Sequence, residues 1–318
     1  MTKFNELDYL SLYPDVAAAV KAGAFKNGYE HYLRHGKAEG RAACRADSLS
    51  PREKAVFHFI NKTGQGLEIG PSHNPIAPKK AGYKVHILDH ATADELRAKY
   101  QGHGLNLDNI EEVDFVWKGQ PLPDLIGHTQ CYDWIIASHV IEHVPDLISF
   151  LQQCEQLLKP AGVLSLVVPD KRYCFDYFQP LTTTGMVLDA FQEKRTRPSA
   201  GQVFDHFANA ASRNNAIAWS DDDRGGANGL IHTFENAKQQ WKSRTETKDY
   251  IDVHCWRFQP ESFAFILSDL NHLGLVGLGI QAQFPTSGCE FYVSLSRNIK
   301  EKSSESSRLS KLARVHEE

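Results

Sequence analysis

Apolar and polar positions change their period several times along the chain, and each change predicts an element. From Leu147 to Leu158 the apolar residues Leu147, Phe150, Leu151, Cys154, Leu157 and Leu158 recur at three- and four-residue spacing, one stripe of a helix. That helix is predicted over Pro145–Lys159 and is stopped by the Pro160-Ala161-Gly162 string. Val163 to Val168 (VLSLVV) and Asp133 to Ser138 (DWIIAS) are short, nearly unbroken apolar runs, as expected of strands covered on both faces. Gly66–Gly70 reads as a strand and turn, Tyr83–Asp89 as a second strand, Val113–Trp117 as a third. A helix over Pro260–Leu273 and two strands, VGLGIQAQF and CEFYVSLSR, close the pattern. The short Pro285–Gly288 turn makes those two antiparallel. Alternating strands and helices predict a doubly wound α/β sheet of Rossmann-like type. It is mostly parallel, seven-stranded, and antiparallel at its last strand.

Residues 1–45 read as a separate helical module: a helix opening at Tyr13-Pro14-Asp15 and stopped by Gly23, then a second, YEHYLRHG, ending at Gly36. A polar linker, ADSLSP, spans 46–51. The division expected is the N-terminal module over 1–45, a cofactor-binding core over 46–170, a helical cap over 171–257 with helices at 184–194 and 201–212, the end of the core sheet over 258–297, and a tail over 298–318. The tail holds five Ser, five Lys/Arg and four Glu, and reads as frayed.

Composition narrows the class. Charged residues are 23% and apolar ones 42% of 318, ordinary for a globular protein, and 35 basic residues against 39 acidic argue against a general nucleic-acid binder. No apolar run reaches the ~18 residues of a membrane span, and MTKFNELDYL lacks the apolar core of a secretory signal. Six cysteines without a CxxC pair read as small buried hydrophobes in a reducing, cytoplasmic setting. The acidic run Asp221-Asp222-Asp223 lacks the order of a calcium loop, so no metal site is expected from it.

Candidate chemistry gathers at strand ends. The first strand runs into LEIGPSHNP, where Gly70 allows a tight turn and close approach of a ligand to the backbone. Asp89 ends the second strand about 20 residues beyond, where ribose-binding acids stand in dinucleotide sites. Two of the three glycines of a nicotinamide fingerprint are absent, and Pro71 and Pro75 remove N–H donors that a diphosphate would need. A ligand with a ribose and no phosphate fits better, and S-adenosylmethionine is one.

LEIGPSHNP, VHILDH, YDWIIASHVIEHVPDLISFLQQCEQLLKPAGVLSLVVPD and the closing strand pair resemble a class I S-adenosylmethionine-dependent methyltransferase of the type 11-like kind. The resemblance is strongest over 66–170 and extends to 258–297 by architecture. It implies that Glu68, Gly70, Pro71 and Ser72 line the methionine part of the cofactor. It places Asp89 at the ribose, Asp114 and Phe115 near the adenine, and Ser138 and His139 near the sulfonium. Ser72 and Asn74 stand where the family's loop carries its second and third glycines.

A hydroxyl acceptor must lose a proton during methyl transfer, so a base is expected, with His143 and His254 as catalytic candidates and His139 beside them. Asp170, Arg172, Tyr173, Trp256 and Arg257 are candidate substrate residues by their places after the fifth strand and where the cap rejoins the sheet. The string YLSLYPDVAAAVKAGAFKNGYEHYLRHGKAEGR resembles a short module of bacterial proteins linked to glycosyl transfer and polysaccharide synthesis. It implies a sugar hydroxyl as acceptor and a glycosyltransferase as partner, with the cap aromatics Tyr173, Phe175, Tyr177 and Phe178 able to stack on sugar faces. Two other readings stay open: a nicotinamide-dependent oxidoreductase on the same topology, and a non-catalytic partner of a glycosyltransferase.

Overall fold

A computed structural model describes residues 4–45, 49–222, 226, 228–297, 299 and 304–317. Linker positions 46–48 and Asp223 of the acidic run lie outside the described residues.

The sheet has seven strands: β1 (Gly66–Ile69), β2 (Val85–Asp89), β3 (Phe115–Val116), β4 (Tyr132–Ser138), β5 (Leu158–Pro169), β8 (Gly279–Ser287) and β9 (Glu290–Ser296), with β6 (Ala211–Arg213) and β7 (Asn228–Leu230) paired separately in the cap. The order is β3-β2-β1-β4-β5-β9-β8, parallel through β5 and antiparallel where β9 meets β5 and β8. This is the doubly wound Rossmann-like arrangement expected, and its β1–β4 contact is the switch point beside which open α/β sheets take ligands.

β4 shows why its run is apolar on both faces. Ile135 and Ala137 pack with the helix Leu147–Leu157 and the helix Pro260–His272, whereas Trp134 and Ile136 pack with Val56, Phe57 and Tyr83. The two-residue period of a strand sends alternate side chains into two separate cores. Gly66 of β1 leaves room for the Trp134 ring, which a Cβ there would meet at 2.1 Å.

Several expectations need correction. The third strand is only Phe115–Val116, because it is an edge strand pairing with β2 alone. The tail is not frayed over 305–317: Glu305–Glu317 is a helix lying on Pro260–His272. Arg308, Lys311 and Arg314, one turn apart, reach Asp269, Ser268 and Glu261 on that helix. The tail's composition masks this spacing. In the cap, the expected helices are present as Thr184–Gln192 and Ala200–Asn209, but Phe234–Glu246 is a third, unforeseen one. It buries only Ala237 and so carries no apolar stripe. Within the N-terminal module an additional helix, Glu6–Leu12, precedes Pro14–Lys21, and Tyr9 is the centre of a ring cluster with Phe4, Tyr13 and Tyr32. All six cysteines are free, and four are buried.

Candidate active site

The carboxyl ends of β1, β2 and β4 form one rim. Gly70 has φ +66°, and a Cβ on it would meet Val140 Cγ2 at 2.9 Å, so the turn after β1 requires glycine. Ser72 (φ +51°) and His139 (φ +53°) are also left-handed, a costly backbone for side chains of their kind. Strain of this sort at the ends of β1 and β4 marks the edge where the chain is held for a purpose other than stability.

Asp89 is 2% exposed and ties the rim together. Its Oδ2 accepts the Ser72 N–H at 2.9 Å and its Oδ1 the His90 N–H at 2.7 Å, with His90 Nδ1 2.6 Å from Oδ1. Oδ2 keeps one acceptor position, and the His90 ring against Oδ1 is more than half exposed. The Oγ of Ser72 and Nδ1 of His73 are buried with no hydrogen-bond partner in the protein. An acceptor carboxylate, unpaired polar atoms and a glycine-only turn suit a ligand bearing a ribose diol and a polar amino-acid end, so the residues present fit S-adenosylmethionine.

Glu68 sits differently from the sequence expectation. Its carboxylate accepts the N–H groups of Ile76 (2.6 Å) and Ala77 (3.0 Å), inside the loop that carries Pro71 and Ser72. It shapes that loop from beneath rather than lining the rim. Burial pushes its carboxyl up to about 7 against the pull of the two amides. Asp114 is likewise corrected. It precedes β3 at the level of Ile87, accepting the Ile87 N–H at 2.6 Å and pairing with Lys79. Phe115 pairs with Leu88 and packs on the His86 ring, so the part of β3 that reaches the rim beside Asp89 is Val116 and Trp117.

At the end of β4, Ser138 Oγ accepts from Arg52 Nη2 at 2.8 Å, and Arg52 also grips Glu290. His139 Nε2 lies 2.8 Å from Glu290 Oε2. Burial disfavours the His139 charge, but the carboxylates of Glu142 and Glu290 outweigh it and raise the imidazole to about 9. Burial would raise Glu290; His139 and Arg52 instead hold it at about 2.

The second half of the site forms where the cap rejoins the sheet. The N–H groups of Cys255 and Trp256 both donate to the Glu142 carbonyl, at 2.6 and 3.2 Å, and Tyr250 Oη donates to the His143 carbonyl. These bonds lay the 250–256 strip against the chain after β4. His143 and His254 meet there, with ring centroids 4.7 Å apart. His143 Nδ1 bonds Asp252 (2.8 Å), and His254 Nδ1 bonds Asp176 (2.5 Å). Burial lowers and the Asp252 and Glu142 carboxylates raise the His143 pKa, with a net rise. His206 stands nearby and is pushed down to about 4, by burial first and then by the His254 charge.

Several buried atoms at this junction have no hydrogen-bond partner in the protein: both carboxylate oxygens of Glu142, Nε and Nη2 of Arg257, Nδ1 of His206 and Oε1 of Gln179. Native proteins leave few such groups, so their clustering marks a place built for a ligand or ordered water.

Of the expected substrate residues, Arg257 belongs here, 3.8 Å from Asp176 through Nε. Trp256 does not form a pocket wall: it is a core residue, 1% exposed, whose Nε1 donates to the Val144 carbonyl. Asp170 and Arg172 form an ion pair at 2.6 Å, with Thr286 also donating to Asp170. Arg172 instead lines a separate cavity of about 580 Å³ between Pro260–His272 and the β8–β9 hairpin. The Arg172 guanidinium lies over the Tyr173 ring, whose backbone carbonyl accepts from Trp219. Among the expected cap aromatics, Phe175 packs on His254, whereas Phe178 is largely exposed.

Glu142, Asp176, Asp252, Arg52 and Glu290 were not foreseen. Glu142 and Asp252 are lone acids in the SHVIEHV and DVHC strings, and Asp176 is a lone acid among aromatics in CFDYF. A single carboxylate inside an apolar string was the available signal. Arg52 and Glu290 carry none.

A family profile described as a methyltransferase domain matches residues 42–271. The ubiquinone biosynthesis O-methyltransferase of Actinobacillus pleuropneumoniae serotype 7 is 36% identical over 92 residues, 28% of this chain and 37% of that protein. The mitochondrial ubiquinone biosynthesis O-methyltransferase of Homo sapiens is 43% identical over 51 residues, 16% of this chain and 14% of that protein. The chain thus spans well under half the length of these curated relatives. Among solved structures, a SAM-dependent methyltransferase from Methanosarcina mazei aligns over 79% of this chain and 99% of its own, at 14% identity and a TM-score of 0.40. The CcbJ methyltransferase from Streptomyces caelestis aligns over 78% and 97%, at 12% identity and a TM-score of 0.38. With the family match covering most of the chain, this protein belongs to the methyltransferase-domain family, and its cofactor is S-adenosylmethionine.

Proposed function

We propose that this protein is an O-methyltransferase that methylates a hydroxyl of a small-molecule acceptor bound between the end of β4 and the cap. The observation that carries this reading is the His143–His254–Glu142 group, with Glu142 and His254 buried and His143 half-buried, in which Glu142 and His143 follow β4 on the rim that holds Gly70 and Asp89. The names of the matched relatives, O-methyltransferases of ubiquinone biosynthesis, support oxygen as the acceptor atom.

S-adenosylmethionine supplies an electrophilic methyl on a sulfonium with a neutral leaving group. The chain's task is then placement and proton removal. Asp89 anchors the ribose side through Oδ2, and the bend at Gly70 lets the ligand approach the backbone. His143 and His254 each commit Nδ1 to a carboxylate and so present Nε2, oriented as a base requires. Asp252 and Asp176 stabilise the imidazolium that forms when the acceptor hydroxyl gives up its proton. Arg257, whose buried Nε and Nη2 make no hydrogen bond in the protein, suits an oxygen-rich acceptor.

The expected sugar hydroxyl and glycosyltransferase contact rest on residues 1–45, which spend their aromatic side chains on one another. The proposal therefore keeps the hydroxyl and leaves that module out of the chemistry. The test is methyl transfer from labelled S-adenosylmethionine to a panel of catechols, simple phenols and sugar nucleotides, with the product's methylated atom fixed by NMR. An oxygen-linked methyl is expected. Transfer only to nitrogen or carbon, or no binding of S-adenosylhomocysteine, would overturn the reading.

A further inference from the structure

We infer that the cavity between the helix Pro260–His272, the β8–β9 hairpin and the C-terminal helix Glu305–Glu317 is a binding site for a phosphate-bearing small molecule with an apolar body. The inference is independent of the proposed function: no residue of the proposed acceptor site lines this cavity.

The cavity measures about 580 Å³. Sites for small molecules run from roughly 300 to 1,000 Å³. Ile280, Phe284 and Pro285 supply an apolar wall, and Arg172, Lys311 and Arg314 a cationic one. An apolar wall beside converging cations holds a ring or short chain that ends in an anion.

The pairs these cations already make decide which anion fits. Glu261 is the one carboxylate among the described lining residues, and it accepts from Arg314 Nε at 2.8 Å. Asp170 is 0% exposed and accepts from Arg172 Nε at 2.9 Å and Nη2 at 2.6 Å, and from the Thr286 hydroxyl at 2.6 Å. The Nε of each guanidinium is therefore given to a carboxylate of the protein. Neither can offer its full Nε–Nη2 edge to the two oxygens of a ligand carboxylate. A phosphate carries more oxygens and more charge, and it can take one N–H from each of several cations without a whole fork.

The C-terminal helix is the second observation. It brings Lys311 and Arg314 to the cavity yet fully buries none of its residues. Arg308, Lys311 and Arg314 seat it on Asp269, Ser268 and Glu261. Polar contacts at the surface stabilise such a seat only slightly. A phosphate shared by this helix and Arg172 would add a charge-assisted tie between segments far apart in the chain. Arg172 also reaches the cap, since its carbonyl accepts from Trp219 Nε1 at 3.1 Å, and the Lys171 N–H next to it donates to the Phe258 carbonyl. A ligand there joins the C-terminal helix to the turn from which the cap departs.

Phenyl phosphate is the probe, with inorganic phosphate and phenol as its two halves. Full-length protein saturated with S-adenosylhomocysteine is titrated by calorimetry at low ionic strength, where exposed charges are least screened. One phenyl phosphate per chain is expected, bound about tenfold or more tightly than inorganic phosphate because the ring is buried as well. Lys311→Ala and Arg314→Ala, both on the outer helix, should each weaken binding by about tenfold, the loss of one charged hydrogen-bond partner. Hydrogen exchange over 308–315 should slow when the probe binds. No binding, binding as tight for phenol, or affinity unchanged in both variants overturns the site. Affinity that falls in Arg257→Gln and not in Lys311→Ala puts the phosphate in the acceptor pocket and overturns it too. Equal affinity for inorganic phosphate overturns the organic ligand and marks an adventitious ion only.

Discussion

His143 and His254 meet edge to face, their ring planes at 89° and their centroids 4.7 Å apart. One follows the fourth strand and the other closes the cap, so the pair exists only because the 250–256 strip is hydrogen-bonded onto the Glu142 and His143 carbonyls. Those main-chain bonds make the cap part of the site and not a cover laid over it.

Asp89→Ala removes the carboxylate that holds the Ser72 amide and that the proposed function assigns to the ribose. Binding of S-adenosylhomocysteine should weaken by about 1–3 kcal/mol, the usual loss for a charged hydrogen-bond partner. Isothermal titration calorimetry reads this directly, and an unchanged affinity would remove Asp89 from the cofactor site.

The Glu68 carboxyl should titrate near 7 in a carbon-detected NMR experiment. A carboxyl raised in the folded state binds its proton more tightly there than in the unfolded chain. Its contribution is therefore favourable at low pH and is lost as pH rises from about 4.5 to about 7. A midpoint near 4.5 would contradict the burial assigned to it. Glu68→Ala should cost about 1–3 kcal/mol, since the amides of Ile76 and Ala77 would stay buried and unpaired.

The His139–Glu290 pair has its own pH window. With His139 raised to about 9 and Glu290 lowered to about 2, both are charged across the neutral range. The His139 contribution is complete below the ordinary histidine value of about 6.5 and fades as pH climbs through 9. The Glu290 contribution is complete above about 4.5 and fades as pH falls through 2. Replacing His139 by Gln should therefore lower the thermal midpoint most near pH 5–6, about where both contributions are full. The difference from wild type should shrink toward pH 9. A difference that grows with pH would reverse the assigned direction.

Trp256→Ala should destabilise the fold by about 3–5 kcal/mol, the range for truncating a buried aromatic. Trp256→Phe should cost less, since it keeps most of the packing and loses the bond to Val144. Urea unfolding measures both. A large loss of acceptor affinity with unchanged stability would restore Trp256 to the pocket wall.

Much of the fold was legible along the chain because it is written in local periods. The stripe Leu147–Leu158 gave a helix, observed as Leu147–Leu157, and the two apolar runs gave β4 and β5. The rim was legible for the same reason: Gly70 and Asp89 follow directly from where β1 and β2 end. The helices Phe234–Glu246 and Glu305–Glu317 escaped because neither buries an apolar stripe, and both are held by polar contacts with distant segments.

By itself, then, the order of residues determined the strands, their alternation with helices, the glycine bend and the acid after β2, since each depends on neighbours a few positions away. Tertiary structure alone decided which carboxylates serve which histidines, that Glu68 and Asp114 turn to backbone amides, and that Trp256 belongs to the core. Those outcomes depend on burial and on partners brought from far along the chain, and no local period encodes a hydrogen bond between Asp176 and His254.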